Sequence, residues 1–255
     1  MRTYTGAVPG LSRQRREWED LATVDPYWAV LTDPQRKHGG WDPAAFFATG
    51  EAEVEAMLEQ ASRLGLPEAR AHALDFGCGP GRLTRALASR FDSVVGLDIS
   101  EPLIAEARRL NADVPGCEFR VSVAGDLAPL ADGSFDLVYS NIVLQHQPNH
   151  RIIRAYLAEF VRIARPGGLI VFQLPTRIPL RNRLQPRRRA YAALRRLGIP
   201  AEVLYERLGL DPMRMTSMPT ERVTAAVERC GGRVLEARPD DLGGAFPSVT
   251  YFATK

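Results

Sequence analysis

Short unbroken apolar runs alternate with amphipathic stretches through the middle of the chain. The runs at 72–76 ("HALDF"), 93–98 ("SVVGLD"), 117–123, 135–140 ("FDLVYS") and 168–174 read as strands, since strands covered on both faces are apolar throughout rather than at every second position. Helices are expected between them over about 81–90, 101–111 and 150–164. Strands separated by helices in this way form right-handed βαβ units and a parallel sheet. After a helix at about 220–230 ("TERVTAAVERC"), stopped by Gly231 and Gly232, the tail supplies "GRVLEAR" and "SVTYFATK". The turn-rich "PDDLGGAFP" between them predicts antiparallel pairing at one edge. The fold class expected is therefore α/β: a doubly wound, mostly parallel seven-stranded sheet with one antiparallel terminal strand.

The two ends of this pattern are different in kind. Residues 1–20 are polar and Arg-rich and predict a loose or partly helical arm, followed by an irregular stretch that mixes aromatics with prolines. Over 42–64, apolar Phe46, Phe47, Val54, Met57, Leu58, Ala61 and Leu64 fall at helical spacing, with Asp42 and Pro43 as N-cap and N1 and Gly50 as a point where the helix could split. The organisation expected is a helical cap or lid over 1–65 and a core over 66–255, the core carrying a substrate-lid insertion at 176–219 after the fifth strand. Tyr27, Trp28, Trp41, Phe46 and Phe47 suit an apolar lid, or simply pack the cap helices together.

Composition narrows the classes. With 255 residues, 45% hydrophobic and 25% charged, the chain is long enough for one large α/β core and unlike disordered, collagen or coiled-coil sequences. No apolar run nears the roughly 18 residues of a membrane span, and the N-terminal stretch has no signal-peptide core, so a cytoplasmic protein without membrane insertion is expected. Cys78, Cys117 and Cys230 have no CxxC spacing and predict neither a disulfide framework nor a zinc site, only small semi-buried side chains. The net charge of +3 hides an asymmetry: no Asp or Glu occurs between Glu159 and Glu202, where Arg177, Arg181, Arg183, Arg187, Arg188, Arg189, Arg195 and Arg196 fall. A helix over 185–197 would turn Ala190, Leu194 and Leu197 inward and leave the arginines as a solvated face. The alternatives are a site for an acidic, carrier-bound or phosphate-bearing partner, or a nucleic-acid or membrane surface. Tyr191 alone is available there for base stacking, which counts against nucleic acid.

Candidate chemistry lies at the first strand-to-helix turn, "ALDFGCGPGRL" at 73–83. In doubly wound sheets this turn borders the ligand, and its glycines allow positive φ and close backbone approach. The spacing is GxGxG through Gly77, Gly79 and Gly81, with Arg82 where a dinucleotide fingerprint has its third glycine and no GK[ST] ending. A ligand held through phosphates is therefore not expected. Asp98 ends the second strand in "VVGLDIS", where an acid can accept both hydroxyls of a ribose, while Ser100 fills the N-cap role that would be its other use.

Four blocks in order, "LDFGCGPG", "VVGLDIS", "VAGDLAPLADGSFDLVYSNIVLQH" and "ARPGGLIVFQLP", resemble the class I S-adenosylmethionine-dependent methyltransferases over residues 70–175. That resemblance implies a Rossmann-like methyltransferase fold and S-adenosylmethionine as cofactor, with S-adenosylhomocysteine as product. Asp75 and the turn of Gly77, Cys78, Gly79 and Gly81 would hold the methionine portion, through an acid and bare amides. Asp98 would take the ribose, with Ile99 against the adenine; Asp126 would accept from the adenine amino group and the Leu127 amide would meet a ring nitrogen; Asn141 and Ile142 would border the cofactor. His146 is the candidate base, or else shapes the pocket; Gln145 is an alternative polar contact. No acid-rich metal site is present, so no metal is expected. The activity implied is in-line methyl transfer to oxygen or nitrogen of a small molecule, a metabolite or natural-product intermediate. Readings that remain beside it are an RNA or protein methyltransferase docking through 177–196 and a binding module without turnover; monomer and dimer both fit.

Overall fold

The computed structural model describes residues 10–122, 127–240 and 246–255. Strands β1 (His72–Phe76), β2 (Ser93–Asp98), β3 (Cys117–Val121), β4 (Phe135–Ser140), β5 (Ala164–Pro175), β6 (Arg233–Asp240) and β7 (Ser248–Thr254) form one sheet in the order β3-β2-β1-β4-β5-β7-β6. The first five pair in parallel, and β7 runs antiparallel between β5 and β6, as the tail pattern predicts. The reversal of strand order beside β1 puts the switch point, and hence a crevice, at the carboxyl ends of β1, β2 and β4.

Helices α1 (Leu11–Val24), α2 (Pro26–Val30) and α3 (Pro43–Arg63) precede β1; α4 (Arg82–Ala88), α5 (Glu101–Leu110) and α6 (His150–Ile163) lie between strands; α7 (Leu180–Arg183), α8 (Pro186–Arg196), α9 (Ala201–Glu206) and α10 (Thr220–Glu228) follow β5. The strand period of two divides the core into two layers. Leu74, Phe76, Val138, Ile170 and Phe172 pack against α6 and α10 through Ile153, Phe160 and Val223. Ala73, Leu137, Tyr139, Leu169 and Val171 face the other way, against Val54, Met57 and Leu58 of α3 and Leu83 and Leu87 of α4. A smaller cluster of Leu21, Trp28, Trp41, Phe46 and Tyr205 joins α1, α2, α3 and α9, so the cap and the insertion share a core. Asp25 closes it: one carboxylate oxygen accepts from the Trp28 amide and the other from the Gly39 amide and the Tyr205 hydroxyl.

The arm is helical from Leu11, where Leu11, Gln14, Leu21 and Ala22 bury one face. Two expectations are corrected. Gly50 does not split α3: a Cβ there would lie 2.5 Å from the Arg82 carbonyl oxygen, so the glycine permits α3 and α4 to touch. On α8 it is Tyr191 that is buried, while Ala190 is exposed, Leu194 half-buried and Leu197 78% exposed. The inward face is polar because it meets acids of α1: Arg188 pairs with Glu17 at 2.7 Å, and Arg195 and the Tyr191 hydroxyl bind Asp20 at 2.7 and 2.9 Å.

Candidate active site

The turn after β1 is built on backbone that only glycine adopts easily. Gly77, Gly79 and Gly81 have φ of 82°, 52° and 89°. At Gly77 a Cβ would also lie 2.3 Å from Val143 Cγ2, and at Gly79 2.5 Å from Val30 Cγ2. The loop amides are not bare, contrary to expectation. Those of Gly77 and Cys78 donate to the Leu97 carbonyl, that of Gly79 to Asp98 Oδ2 at 3.0 Å, and that of Gly81 to the Cys78 carbonyl. The turn is thus clipped to the end of β2. Its other clip is Asp98 Oδ1, which accepts from the Ser100 amide at 2.9 Å. Burial pushes the Asp98 carboxyl upward in pKa, against the pull of these amides.

A cleft opens over this turn, lined by Phe76, Gly77, Cys78, Asp98, Ile99, Asn141, Ile142, Val143 and His146, and roofed by Gln14 and Trp18 of α1 and Val30 of α2. It therefore gathers most of the residues that sequence singled out. Asp75, Gly79, Gly81 and Leu127 lie outside its lining. The strand period carries Asp75 to the α4 side, where Oδ2 accepts from Thr84 Oγ1 at 2.7 Å, Oδ1 has no partner, and burial raises the pKa to about 7. Gly81 serves packing instead, against Asn111 and Phe119. The Leu127 amide donates to Glu159 Oε2 of α6 rather than into the cleft. Asp126 falls outside the described residues.

Ile142, just past β4, has φ of 57°, a conformation costly for a β-branched side chain and characteristic of functional sites. It lines both the cleft and a second, larger cavity of about 1210 Å³, and the two meet at Val30, Arg82, Ile142 and His146. His146 Nδ1 donates to the Arg214 carbonyl at 2.6 Å, since a carbonyl only accepts. Nε2 is then the lone-pair nitrogen and accepts from Gln145 Nε2 at 3.2 Å. Burial lowers the His146 pKa to about 4 against the opposing bond to the Arg214 carbonyl, and the Trp18 ring meets the imidazole in a T-shaped contact with centroids 5.2 Å apart. The insertion fixes this turn further: the Thr216 amide donates to the Gln145 carbonyl, and His150 Nε2 to the Ser217 carbonyl.

Sequence reasoning missed Glu53 and Arg82. Glu53 Oε1 accepts from Tyr139 Oη at 2.8 Å and Asn141 Nδ2 at 2.6 Å, and Oε2 from Arg82 Nη2 at 2.7 Å. This acid ties α3 to β4 and to α4. Its signal was available: Glu53 lies seven residues after Phe46 and four before Met57, on the apolar stripe of the helix. Several buried polar atoms at the two cavities have no partner, namely Gln14 Oε1, Asn141 Oδ1, Gln147 Oε1, Gln145 Oε1 and Arg82 Nε. Native interiors rarely leave such groups unpaired, so their convergence marks a polar ligand. Among the described residues, no group of His, Cys, Asp and Glu side chains is placed to hold a metal ion.

Residues 74–172 match the model of a methyltransferase domain. Trans-aconitate 2-methyltransferase of Variovorax paradoxus is 36% identical over 156 residues, 60% of this chain and 55% of the relative. The enzyme of that name from Deinococcus radiodurans is 41% identical over 107 residues, 41% of this chain and 38% of the relative. The chain spans about half or less of these curated relatives. Among solved structures, magnesium protoporphyrin IX methyltransferase from Synechocystis, with bound S-adenosylhomocysteine, superposes with a TM-score of 0.62 at 18% identity, covering 96% of this chain and 99% of that one. A putative sarcosine dimethylglycine methyltransferase from Galdieria sulphuraria gives 0.58 at 16% identity, over 88% and 90%. The motif blocks, the strand order and the match coincide: residues 74–172 are similar to a methyltransferase domain, and the sheet has the Rossmann-like methyltransferase fold.

Proposed function

We propose that the protein transfers a methyl group from S-adenosylmethionine to oxygen or nitrogen of a small acceptor, the cofactor lying in the cleft and the acceptor in the larger cavity. The observation that carries this reading is the meeting of the two cavities at Arg82, Ile142 and His146. The orphaned atoms fit the cofactor: Asn141 Oδ1 and Gln147 Oε1 can accept from its ammonium, and Arg82 Nε can donate to its carboxylate. Asp98, held by two amides, would accept from the ribose hydroxyls, and Ile99 would pack on the adenine. The bound cofactor supplies an activated methyl on a sulfonium. The chain's part is to align the acceptor with it and to exclude water; α1 and α2 wall the cleft, and the insertion walls the larger cavity through Met213 and Met215.

His146 is a wall and positioning group in this reading, because its Nε2 lone pair is already engaged and its low pKa makes the imidazole a weak base. Residues 1–65 act as the lid, completed by 176–219. The relatives' names make a small organic acid one acceptor to test. The reading as an RNA or protein methyltransferase loses two of its arginines, Arg188 and Arg195, to acids of α1. Calorimetry with S-adenosylhomocysteine and NAD tests the assignment. Micromolar binding of the first alone is expected, weakened by about 1–3 kcal/mol in Asp98→Ala; unchanged affinity in that variant would remove the ribose assignment.

A further inference from the structure

We infer that the larger cavity takes an uncharged, apolar acceptor rather than a carboxylate-rich one; this rests on its assignment as the acceptor chamber. Its apolar walls include Trp41, Met57, Met213, Phe246 and Phe252, and the charges beside them are dominated by acids, Asp33, Glu53, Glu59 and Asp240. An anion entering such a space needs a free cation, since an unpaired charge in a partly dry cavity is strongly unfavourable. The arginines that reach the chamber each have an acid of this chain as partner, Arg82 in a buried pair and Arg63 and Arg238 in solvent-exposed ones. Arg82 is paired with Glu53 at 2.7 Å, Arg63 with Glu59 at 2.6 Å and Arg238 with Glu236 at 3.6 Å, with a further bond from Arg238 to Gln60.

The other ionisable groups on the wall do not help an anion. Asp33 and Asp240 are acids, and His146, Nδ1-protonated and desolvated, carries no charge at neutral pH. Segments 123–126 and 241–245 contain neither Lys nor Arg, and 1–9 contains only Arg2. A tricarboxylate such as trans-aconitate would therefore have to compete with acids of this chain for every described arginine on the wall. A flat neutral molecule with one hydroxyl or amine to methylate meets the aromatic and thioether walls directly.

The test uses the full chain, with and without saturating S-adenosylhomocysteine, and the neutral fluorophore N-phenylnaphthylamine as probe. Ala56 is exposed on α3 and faces the chamber, so Ala56→Arg fills it without disturbing a packed position. Expected are micromolar binding of the probe to wild type, a loss of at least about tenfold in Ala56→Arg, and no displacement or heat with trans-aconitate at millimolar concentration. Displacement of the probe by trans-aconitate, absence of probe binding to wild type, or equal probe affinity in Ala56→Arg would overturn the inference. If the probe behaves as expected but S-adenosylhomocysteine does not bind, the chamber chemistry is supported and the cofactor assignment falls, so the two failures are distinguishable.

Discussion

Glu53 and Arg82 form an ion pair at 2.7 Å with side chains only 15% and 3% exposed, and it joins the cap to the first helix after the glycine turn. A pair this dry is costly to break, because the partner left behind is a buried charge. Glu53→Ala should destabilise the protein by about 3–5 kcal/mol in chemical denaturation. It should also weaken S-adenosylhomocysteine binding, since Asn141 loses the carboxylate that orients it. The double variant with Arg82→Met should recover much of the stability but not the affinity. A loss below about 1 kcal/mol in the single variant would mean that water reaches the pair.

Gly77 and Val143 meet so closely that a methyl group cannot be added at the first. Gly77→Ala faces two penalties, a positive φ and a contact of 2.3 Å with Val143 Cγ2. Val143→Ala removes both γ carbons and leaves the first penalty, about 1–2 kcal/mol, with a residual contact of 3.0 Å to the Val143 Cβ. The double variant should therefore lose less relative to Val143→Ala than Gly77→Ala loses relative to wild type. Equal losses would assign the whole cost to backbone conformation.

His146 should make the protein acid-sensitive without setting the pH dependence of turnover. Its folded pKa, lowered to about 4, lies below the unfolded value of about 6.5. The neutral imidazole is thus favoured by folding, and this contribution is fully present above pH 6.5 and lost as pH falls toward 4, about 3 kcal/mol in all. His146→Asn lacks that loss, so the gap in melting temperature between it and wild type should shift in the variant's favour between pH 7.5 and 4.5. The kcat/KM profile should show no inflection near pH 6.5, and the variant should stay within about tenfold of wild-type turnover. An inflection between pH 6 and 7 that His146→Asn abolishes would make the imidazole a base after all.

The parts of the site that could be read from sequence are those fixed by local backbone chemistry. The apolar runs set β1, β2 and β4, and the glycine spacing set the turn that brings Gly77 and Cys78 into one cleft with Asp98, Asn141 and His146. What depended on distant pairing was hidden. The loop amides were read as free because nothing in "DFGCGPG" reveals that the Leu97 carbonyl and the Asp98 carboxylate already engage them. Arg187, Arg189 and Arg196 of α8 are exposed as a solvated face predicts, but Arg188 and Arg195 are not part of it, and their partners Glu17 and Asp20 lie some 170 residues earlier. Asp75 shows the limit within one motif: its type fits an amino group, but the strand period turns it toward Thr84.

The ion pairs between α1 and α8 should govern how long the cofactor stays bound. Gln14 and Trp18 of α1 line the cleft, so a ligand seated there is covered in part by this helix. Glu17, one residue from Trp18, is held by Arg188 with both side chains 12% exposed, and Asp20 by Arg195 and Tyr191. Leu11 and Leu21 also anchor α1, but near its two ends, which leaves the central turn dependent on the acids. Glu17→Gln with Asp20→Asn keeps the shape of both side chains while removing their charge. Stopped-flow fluorescence of Trp18 and its neighbours should then report a dissociation rate for S-adenosylhomocysteine raised about tenfold, with little change in association, as is usual when contacts around a bound ligand are weakened. High salt should raise the wild-type dissociation rate in the same direction and affect the double variant less, because screening acts on the half-exposed Asp20 pair. An unchanged dissociation rate would mean that the leucines alone hold the helix in place and that the acids merely neutralise the arginines of α8.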